Sequence, residues 1–208
     1  NDEIFTDCYF MCIRTDTPVR LYSGAEGPFH LNMNIPVLPI PYRCLYSKNI
    51  RNLFVASRCS SVSHLALGST RVENTIATMG QAAGCAAAIC MQKGIYPRDI
   101  YANHIKELQQ HLLKDDQTVW GLRNEDPADL AKTAAIHASS ENLTKGGAAA
   151  NIINGYLRST ADCCNAWISE DTGLPQSITL TWPHPVAASE VRITTDTDLT
   201  YPRFSVWE

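Results

Sequence analysis

Three side chains in the first half of this 208-residue chain could take part in chemistry. His64 lies in a Ser-rich segment, where an imidazole could transfer a proton near neutral pH. Arg43 and Arg71 could each bind a carboxylate or a phosphate, because a guanidinium offers paired N–H donors. Each residue also has an ordinary explanation: a loop histidine is often a surface residue, and an arginine often pairs with a carbonyl or an acid. The residue types alone leave both interpretations open.

A predicted strand, loop and helix would position these side chains. The apolar run Leu53–Ala56 predicts a strand buried on both faces, Ser57–Ser69 predicts a loop, and 70–93 predicts one helix. The first N–H groups of that helix would favour a phosphate or a carbonyl that gains negative charge. Small residues share one helical face, which predicts close approach to a sheet or a flat ligand, although ordinary helix packing is an alternative. They are Gly80, Ala83, Gly84 and Ala87.

We expect residues 1–120 to form a first domain, with a polar linker over 121–129. Short extended segments open this domain, and the proline-rich run 35–41 predicts an edge strand or an extended connection. Gly94 ends the long helix as its C-cap, and a second, amphipathic helix is predicted over 97–114.

Residues 130–208 predict a β-domain. The runs Ile178–Trp182 and Val191–Thr195 both alternate apolar and polar residues, which is typical of antiparallel strands with one buried face. We expect Trp167 and Trp182 to be at least partly buried. The fold class expected for the whole chain is α+β: part of an α/β domain followed by a partial all-β sandwich.

Composition and the chain start restrict the class of protein. Hydrophobic residues make up 45% and charged residues 18%, which excludes a disordered or collagen-like chain. The net charge of -4 argues against a nucleic-acid partner. The tract Ile76–Met91 has too few large apolar residues for a membrane span. The acidic start, without Met or a signal segment, leads us to expect a piece of a larger protein.

The eight cysteines predict no metal site. None forms a C-x-x-C pair, and no second half at zinc spacing follows the first two. We expect buried or half-buried free thiols. The positions are 8, 12, 44, 59, 85, 90, 163 and 164.

Four consecutive motifs carry a resemblance to a known family. They are I-P-Y-R-C-L from Ile40, N-L-F-V-A from Asn52, H-L-A-L-G-S-T-R-V from His64 and M-G-Q-A-A-G-C-A-A from Met79. This segment, 38–100, resembles the C-terminal part of FAD-dependent oxidoreductases. The resemblance implies an enzyme that transfers hydride from a small-molecule substrate to the flavin of FAD.

The resemblance also implies roles for individual residues. Ser57 and Arg58 would lie near the ribityl-phosphate part of FAD, and His64 and Arg43 would act as catalytic or substrate-binding groups. The remaining flavin-contacting residues would be Gly68, Ser69, Thr70, Arg71, Val72 and Glu73.

Two departures from the family pattern limit this prediction. Ser57 stands where the family usually has glycine, so a tight turn carries a side chain. No G-x-G-x-x-G fingerprint, which holds the pyrophosphate, occurs in the chain. We therefore expect the isolated chain to be inactive and to retain little or no FAD. Its expected partner is an N-terminal FAD-binding region of the same protein.

The second half resembles part of a discoidin-like (coagulation factor 5/8 type C) β-sandwich. Asn151–Gly155, Trp167–Ser169 and Pro175–Trp182 carry this resemblance. It implies an alternative function, a non-catalytic module that binds a glycan or a protein through Trp167 or Tyr156. Such modules favour an extracytoplasmic location.

Overall fold

The computed structural model describes residues 3–7, 11–15, 29–33, 38–119, 121–159, 163–171 and 173–195. The chain divides into two compact units, Asn1–Leu112 and Leu113–Glu208. Helices dominate the first unit, and turns with one small sheet make up the described part of the second. The first unit has the mixed helix and sheet content of a partial α/β domain.

Four short strands form two antiparallel pairs in the first unit. β1 (Glu3–Asp7) pairs with β4 (Leu38–Pro41), and β2 (Met11–Thr15) pairs with β3 (Phe29–Met33). In a two-stranded sheet every strand is an edge, which suits the prolines of β4 because a proline cannot donate to a ladder. The edge predicted for the proline-rich run is confirmed for β4, whereas 34–37 lie outside the described residues.

The helical segment begins earlier than the sequence predicted, and it consists of two helices instead of one. α1 (His64–Thr70) precedes α2 (Glu73–Lys93), so the prediction of one helix starting at Thr70 was wrong. The Ser63 side chain caps α1 by accepting a hydrogen bond from the Ala66 N–H at 3.2 Å. Val72 is extended, with ψ 149°, and separates the two helices.

The predicted end of the long helix and the second helix are confirmed. Gly94 closes α2 in the left-handed region at φ 65°, and its N–H donates to the Cys90 carbonyl. The next helical stretch comprises α3 (Pro97–Asp99), a π-helical turn (Ile100–His104) and α4 (Ile105–Lys114).

One face of α2 packs into the apolar core of the first unit. The Tyr42 hydroxyl, buried in this core, donates to the Pro97 carbonyl at 2.8 Å, and burial raises the pKa of Tyr42. The buried core residues are Ile40, Tyr42, Leu45, Met79, Ala82, Ala83, Ala86, Ile89, Cys90, Ile100, Leu108 and Leu112.

The prediction that the small-residue face packs α2 was wrong. Gly84 is exposed, and a methyl group added at Gly80 or Gly84 would meet no atom within 4 Å. The buried stripe is rotated around the helix toward Met79 and Ala86, because the large side chain of Met79 fills the core there. Ala83 alone of the four small residues is buried.

The buried strand predicted at Leu53–Ala56 was also wrong. Phe54 forms an isolated antiparallel bridge with Tyr46, and Leu53 is 39% exposed. The described backbone bonds of this segment go to one neighbour only: the Val55 N–H donates to the Leu45 carbonyl at 2.7 Å. A strand buried on both faces needs a neighbour on each side.

In the second unit, β5 (Ala135–Ala138) pairs antiparallel with β6 (Ile178–Thr181). Trp167 and Trp182 are half-buried, as predicted. The strand predicted over 191–195 was wrong: this segment has no ladder, and its Val191 is 81% exposed. The described residues of the second unit contain this one pair of strands, and the discoidin-like sandwich stays a prediction.

The predicted linker makes hydrogen bonds within the second unit. The Asn124 N–H donates to the Gly155 carbonyl at 2.7 Å, and the Asn124 amide donates to Asp129 at 2.9 Å. The Asp126 carboxylate accepts from the Ala128 N–H and from Lys114, which together lower its pKa. The domain boundary at 121–129 stays a prediction.

Among the residues that the structure describes, no group of three or more His, Cys, Asp or Glu side chains could hold a metal ion. None of the helices there combines the length and the apolar character needed to cross a membrane. The described cysteines form no disulfide bond; they are Cys44, Cys59, Cys85, Cys90, Cys163 and Cys164.

Candidate functional site

The candidate site begins where the extended chain turns sharply at Ser57. Ala56 is extended, with φ -127° and ψ 168°, and Ser57 follows at φ 67°. Residues with a Cβ rarely adopt this left-handed conformation, which glycine reaches without steric cost. The sequence prediction of a tight turn that carries a side chain at Ser57 is confirmed. A strained, exposed turn of this kind is common at ligand-binding positions.

The turn is closed by backbone bonds and lies against α2. Ser57–Cys59 forms a single 3-10 turn in which the Ser60 N–H donates to the Ser57 carbonyl at 3.2 Å. The Ser61 N–H then donates to the Cys44 carbonyl at 2.9 Å. The 3-10 turn packs against α2.

One hydrogen bond links this turn to the start of α2. The exposed Arg58 side chain donates from Nε to the Arg71 carbonyl at 3.3 Å. Arg71 is half-buried and is the last residue before Val72, the N-cap of α2. Two segments thirteen residues apart, both predicted to contact a flavin, are thus brought together.

The start of α2 has backbone donors that no side chain caps. Val72 is apolar and makes no capping bond, and the first α-helical bond runs from the Ile76 N–H to the Val72 carbonyl at 2.9 Å. The exposed Glu73 carboxylate lies in this first turn. The positive end of the helix dipole therefore lies beside the Ser57 turn, where it favours a partly anionic group.

Three of the residues predicted to contact the flavin lie at the buried end of α1. Gly68, Ser69 and Thr70 are all buried. The Thr70 hydroxyl donates to the Ala66 carbonyl at 3.1 Å within the helix. In this structure these residues pack α1, and their contact with a flavin stays a prediction.

The two predicted catalytic side chains belong to different elements. His64 is exposed on the first turn of α1. Arg43 lies in the 3-10 turn Tyr42–Leu45, and its guanidinium stacks over the Tyr101 ring at 5.1 Å from the centroid. Tyr101 belongs to the π-helical turn, so Arg43 is held by an aromatic face that the motif comparison did not predict.

Sequence reasoning missed two features of the site, and one of them had a visible signal. Ser63 followed by an apolar-rich segment is a recognisable N-cap pattern, and it would have predicted α1. The π-helical turn that presents Tyr101 has no comparable local signature, because π-helical turns are rare and occur as single turns inside α-helices.

The donor set fits one end of a flavin cofactor. Flavins carry acceptor atoms that gain negative charge on reduction, and the N–H groups at a helix start are donors suited to such charge. The open turn at Ser57 has no bulky side chain between the backbone and a ligand. No phosphate-cradling fingerprint accompanies them in the sequence.

Comparison with known proteins finds one family match, which lies within the first unit. Residues 20–112 match the model of the family described as FAD dependent oxidoreductase. This finding confirms the FAD-dependent oxidoreductase region predicted from the motifs, and FAD is the cofactor of that family. No curated protein and no solved structure matches the chain.

Proposed function

We propose that residues 57–73 form the flavin-contacting part of a hydride-transferring FAD-dependent oxidoreductase. The observation that carries this proposal is the hydrogen bond between Arg58 and the Arg71 carbonyl, inside the matched family region. It joins the turn at Ser57 to the residue that precedes the N-cap of α2, which supports a shared role for the two segments. Bound FAD would supply the hydride-accepting chemistry.

The start of α2 would stabilise negative charge on the flavin ring. A helix N-terminus acts on a nearby anion as about half a positive charge, and the effect is worth about 0.3–1 kcal/mol at an exposed site. Burial under a cofactor strengthens it to about 2 kcal/mol. The N–H groups of 73–75 are the donors that would make this contact, and the exposed Glu73 carboxylate is free to turn toward solvent.

The arginine and the histidine would have separate roles. Arg58 would bind the phosphate or ribityl oxygens of FAD, because its Nε is anchored on the Arg71 carbonyl while the side chain remains exposed. His64 would transfer a proton to or from a small-molecule substrate, since it is exposed near the same segment. Arg43 would bind an anionic substrate group, with Tyr101 fixing the orientation of its guanidinium.

The open face of α2 is the surface that we propose for an FAD-binding region of the same protein. We define this face by its exposed residues Gln81, Gly84, Ala88 and Met91. Three of the four are apolar, and Met91 is 83% exposed. Small residues allow a sheet or helix to approach closely, which supports a covering element here.

The experiment compares three proteins that include the sequence upstream of Asn1: the parent, Ser57→Gly and Ser57→Val. Ser57 has φ 67°, which glycine adopts freely and a β-branched residue does not. We expect the parent and Ser57→Gly to purify with flavin, and Ser57→Val to hold clearly less flavin per polypeptide. Matching far-UV circular dichroism spectra would show that all three are folded.

Two results would count against the proposal. A parent protein that purifies without flavin, and binds none when FAD is added, would show that the protein does not bind this cofactor. Equal flavin content in Ser57→Val and Ser57→Gly would show that the turn at Ser57 does not lie against the cofactor.

A further inference from the structure

A second concave surface lies outside the segment proposed to contact flavin. We call it the Lys48 pocket; it has a volume of about 270 Å³ and lies between the loop 46–51 and the turn 96–99. Its charged lining residues are Lys48, Arg51, Arg98 and Asp99, and its aromatic ones are Tyr46 and Tyr96. None of these residues belongs to 57–73, so the pocket has no assigned role in the proposed flavin chemistry.

Hydrogen bonds hold both walls of the pocket in place. Arg98 donates from Nη2 to the Lys48 carbonyl at 2.7 Å, which ties the turn to the loop across fifty residues of sequence. The Ser47 hydroxyl oxygen accepts from the Asn49 and Ile50 N–H groups at 3.2 and 3.0 Å. The loop is therefore ordered before any ligand arrives, which lowers the entropy cost of binding.

Most of the charged side chains that line the pocket are positive. Lys48, Arg51 and Arg98 are cations, whereas Asp99 supplies one carboxylate. That carboxylate already accepts a hydrogen bond from the Tyr96 N–H at 2.8 Å. The excess of two positive charges stands out in a chain whose net charge is -4. Such a pocket attracts anions.

The geometry of Arg51 leaves its donors available. Its guanidinium carbon lies over the Tyr96 ring, 3.9 Å from the centroid. A guanidinium carries its N–H donors in its own plane, so a contact through the ring face is compatible with binding two oxygens of one anion. Tyr96 thus acts as a platform that orients Arg51 without consuming its hydrogen bonds.

We propose that the Lys48 pocket binds a phosphate group, either free phosphate or the phosphate of a small phosphorylated metabolite. Three cations match a group with three acceptor oxygens and up to two negative charges, which a single carboxylate does not offer. The volume of about 270 Å³ lies just below the usual range for organic ligands, so the pocket has room for a phosphate group and a small attached fragment.

The test is calorimetric titration of inorganic phosphate into the full chain at low salt. We expect saturable binding with one site, and affinity lowered roughly tenfold or more in Arg51→Gln and in Arg98→Gln. Lys106→Gln removes an exposed cation of the same unit outside the pocket, and we expect its affinity to equal that of the parent. Far-UV circular dichroism checks that each variant is folded. If Arg98→Gln is unfolded, the phosphate affinity of Arg51→Gln tests the proposal by itself.

Additional titrations separate the sources of the ligand chemistry. Glycerol phosphate binding more tightly than inorganic phosphate would identify a phosphorylated metabolite, and the reverse order would identify free phosphate. Acetate should bind at least tenfold more weakly than either. The proposal is overturned if phosphate shows no saturable binding, if acetate binds equally well, or if Lys106→Gln weakens binding as much as Arg51→Gln.

Discussion

The two units of the chain are stabilised in different ways. The first unit encloses a continuous apolar core, in which Tyr42, Met79 and Leu108 are completely buried. In the described part of the second unit, the buried apolar residues are few: Leu113, Val119, Ala138 and Ala149. Burial of apolar area is non-directional, so the first unit can tolerate an open helix face and remain folded.

Directional hydrogen bonds take the place of a large core in the second unit. The Asn151 amide donates to the Gly146 and Ala166 carbonyls at 2.8 and 2.9 Å. The indole N–H of Trp182 donates to the Leu130 carbonyl at 2.9 Å. The two units should therefore respond to different substitutions. A change in the volume of a buried side chain should destabilise the first unit, and loss of a single side-chain amide should destabilise the second.

Two spectroscopic probes report the units separately. All four tryptophans of the chain (120, 167, 182 and 207) belong to the second unit, so tryptophan fluorescence follows that unit. The long α-helices α2 and α4 lie wholly or mainly in the first unit, so far-UV circular dichroism follows the first.

The largest effect should come from Met79→Ala. Met79 is completely buried in the α2 face of the core, and truncating a buried methionine leaves a cavity that costs about 2–5 kcal/mol. We expect the circular dichroism transition to move to lower denaturant concentration. Met91→Ala on the same helix is the control, because Met91 is 83% exposed and its loss should cost less than about 0.5 kcal/mol. Equal shifts of the circular dichroism transition for the two variants would contradict the view that the apolar core stabilises the first unit.

Asn151→Ala should have the next largest effect, in the second unit. The substitution leaves the Gly146 and Ala166 carbonyls without their amide donor, which costs about 1–3 kcal/mol. We expect the fluorescence transition to shift while the circular dichroism transition changes little. Asn103→Ala, at an exposed position of the first unit, is the control. A shift of the circular dichroism transition alone would contradict this account of the second unit.

Gly84→Ala should stabilise the first unit by about 0.8–1.0 kcal/mol. The position is exposed and its added methyl group meets no atom within 4 Å, so the helix gains alanine's better propensity without a clash. Gly94→Ala should instead destabilise, because Gly94 is held at φ 65°. Chemical denaturation of both variants checks the signs. Destabilisation by Gly84→Ala would show that the open face of α2 is covered in this chain.

The smallest effect concerns Glu107, at the edge of the first unit. Burial alone would raise the pKa of Glu107, but hydrogen bonds with Lys93 and His104 outweigh it and hold that pKa below its ordinary value. This contribution to stability is present above the unfolded pKa of about 4.3 and is lost as the pH falls through the folded pKa. Solvent screening keeps the effect small.

The measurement for Glu107 is the pH dependence of the circular dichroism transition. We expect Glu107→Gln to flatten the loss of stability below about pH 4.5. Glu170→Gln, which removes an exposed carboxylate from the second unit, should leave that loss unchanged. Identical profiles for the parent and Glu107→Gln would rule out a role for this ion pair.

Local signals explain what the sequence predicted well. Gly94 and Pro97 each act through their own backbone preferences, so the end of α2 and the start of the next helix were predicted. Ser57 was predicted to carry a side chain in a tight turn, and it does so at φ 67°. The motifs of 38–100 predicted the family region that the comparison found over 20–112.

Features that depend on distant partners were not predicted. The alternation of Val191–Thr195 is typical of a strand, but no neighbouring strand pairs with it in the described residues. The small residues of α2 could have packed on either side, and the position of the larger Met79 decided which face was buried. Leu53–Ala56 has the composition of a buried strand and lacks the second neighbour that would bury it.

The flavin site that we propose is only half of a cofactor site, so its incompleteness can be tested directly by FAD binding. The chain has the Ser57 turn and the uncapped start of α2 but no fingerprint for the pyrophosphate. Each charge-assisted hydrogen bond to that group is worth about 1.5–3 kcal/mol, so losing several of them weakens binding by many orders of magnitude.

The decisive measurement is titration of FAD into the 208-residue chain, followed by flavin fluorescence and equilibrium dialysis. We predict no stoichiometric binding at micromolar FAD, and a colourless protein. Addition of a separately expressed FAD-binding region of the same protein should restore binding, and Ser57→Val should reduce it. Tight, stoichiometric binding of FAD by the chain alone would contradict the account, because residues 57–73 would then be accompanied by a complete cofactor site.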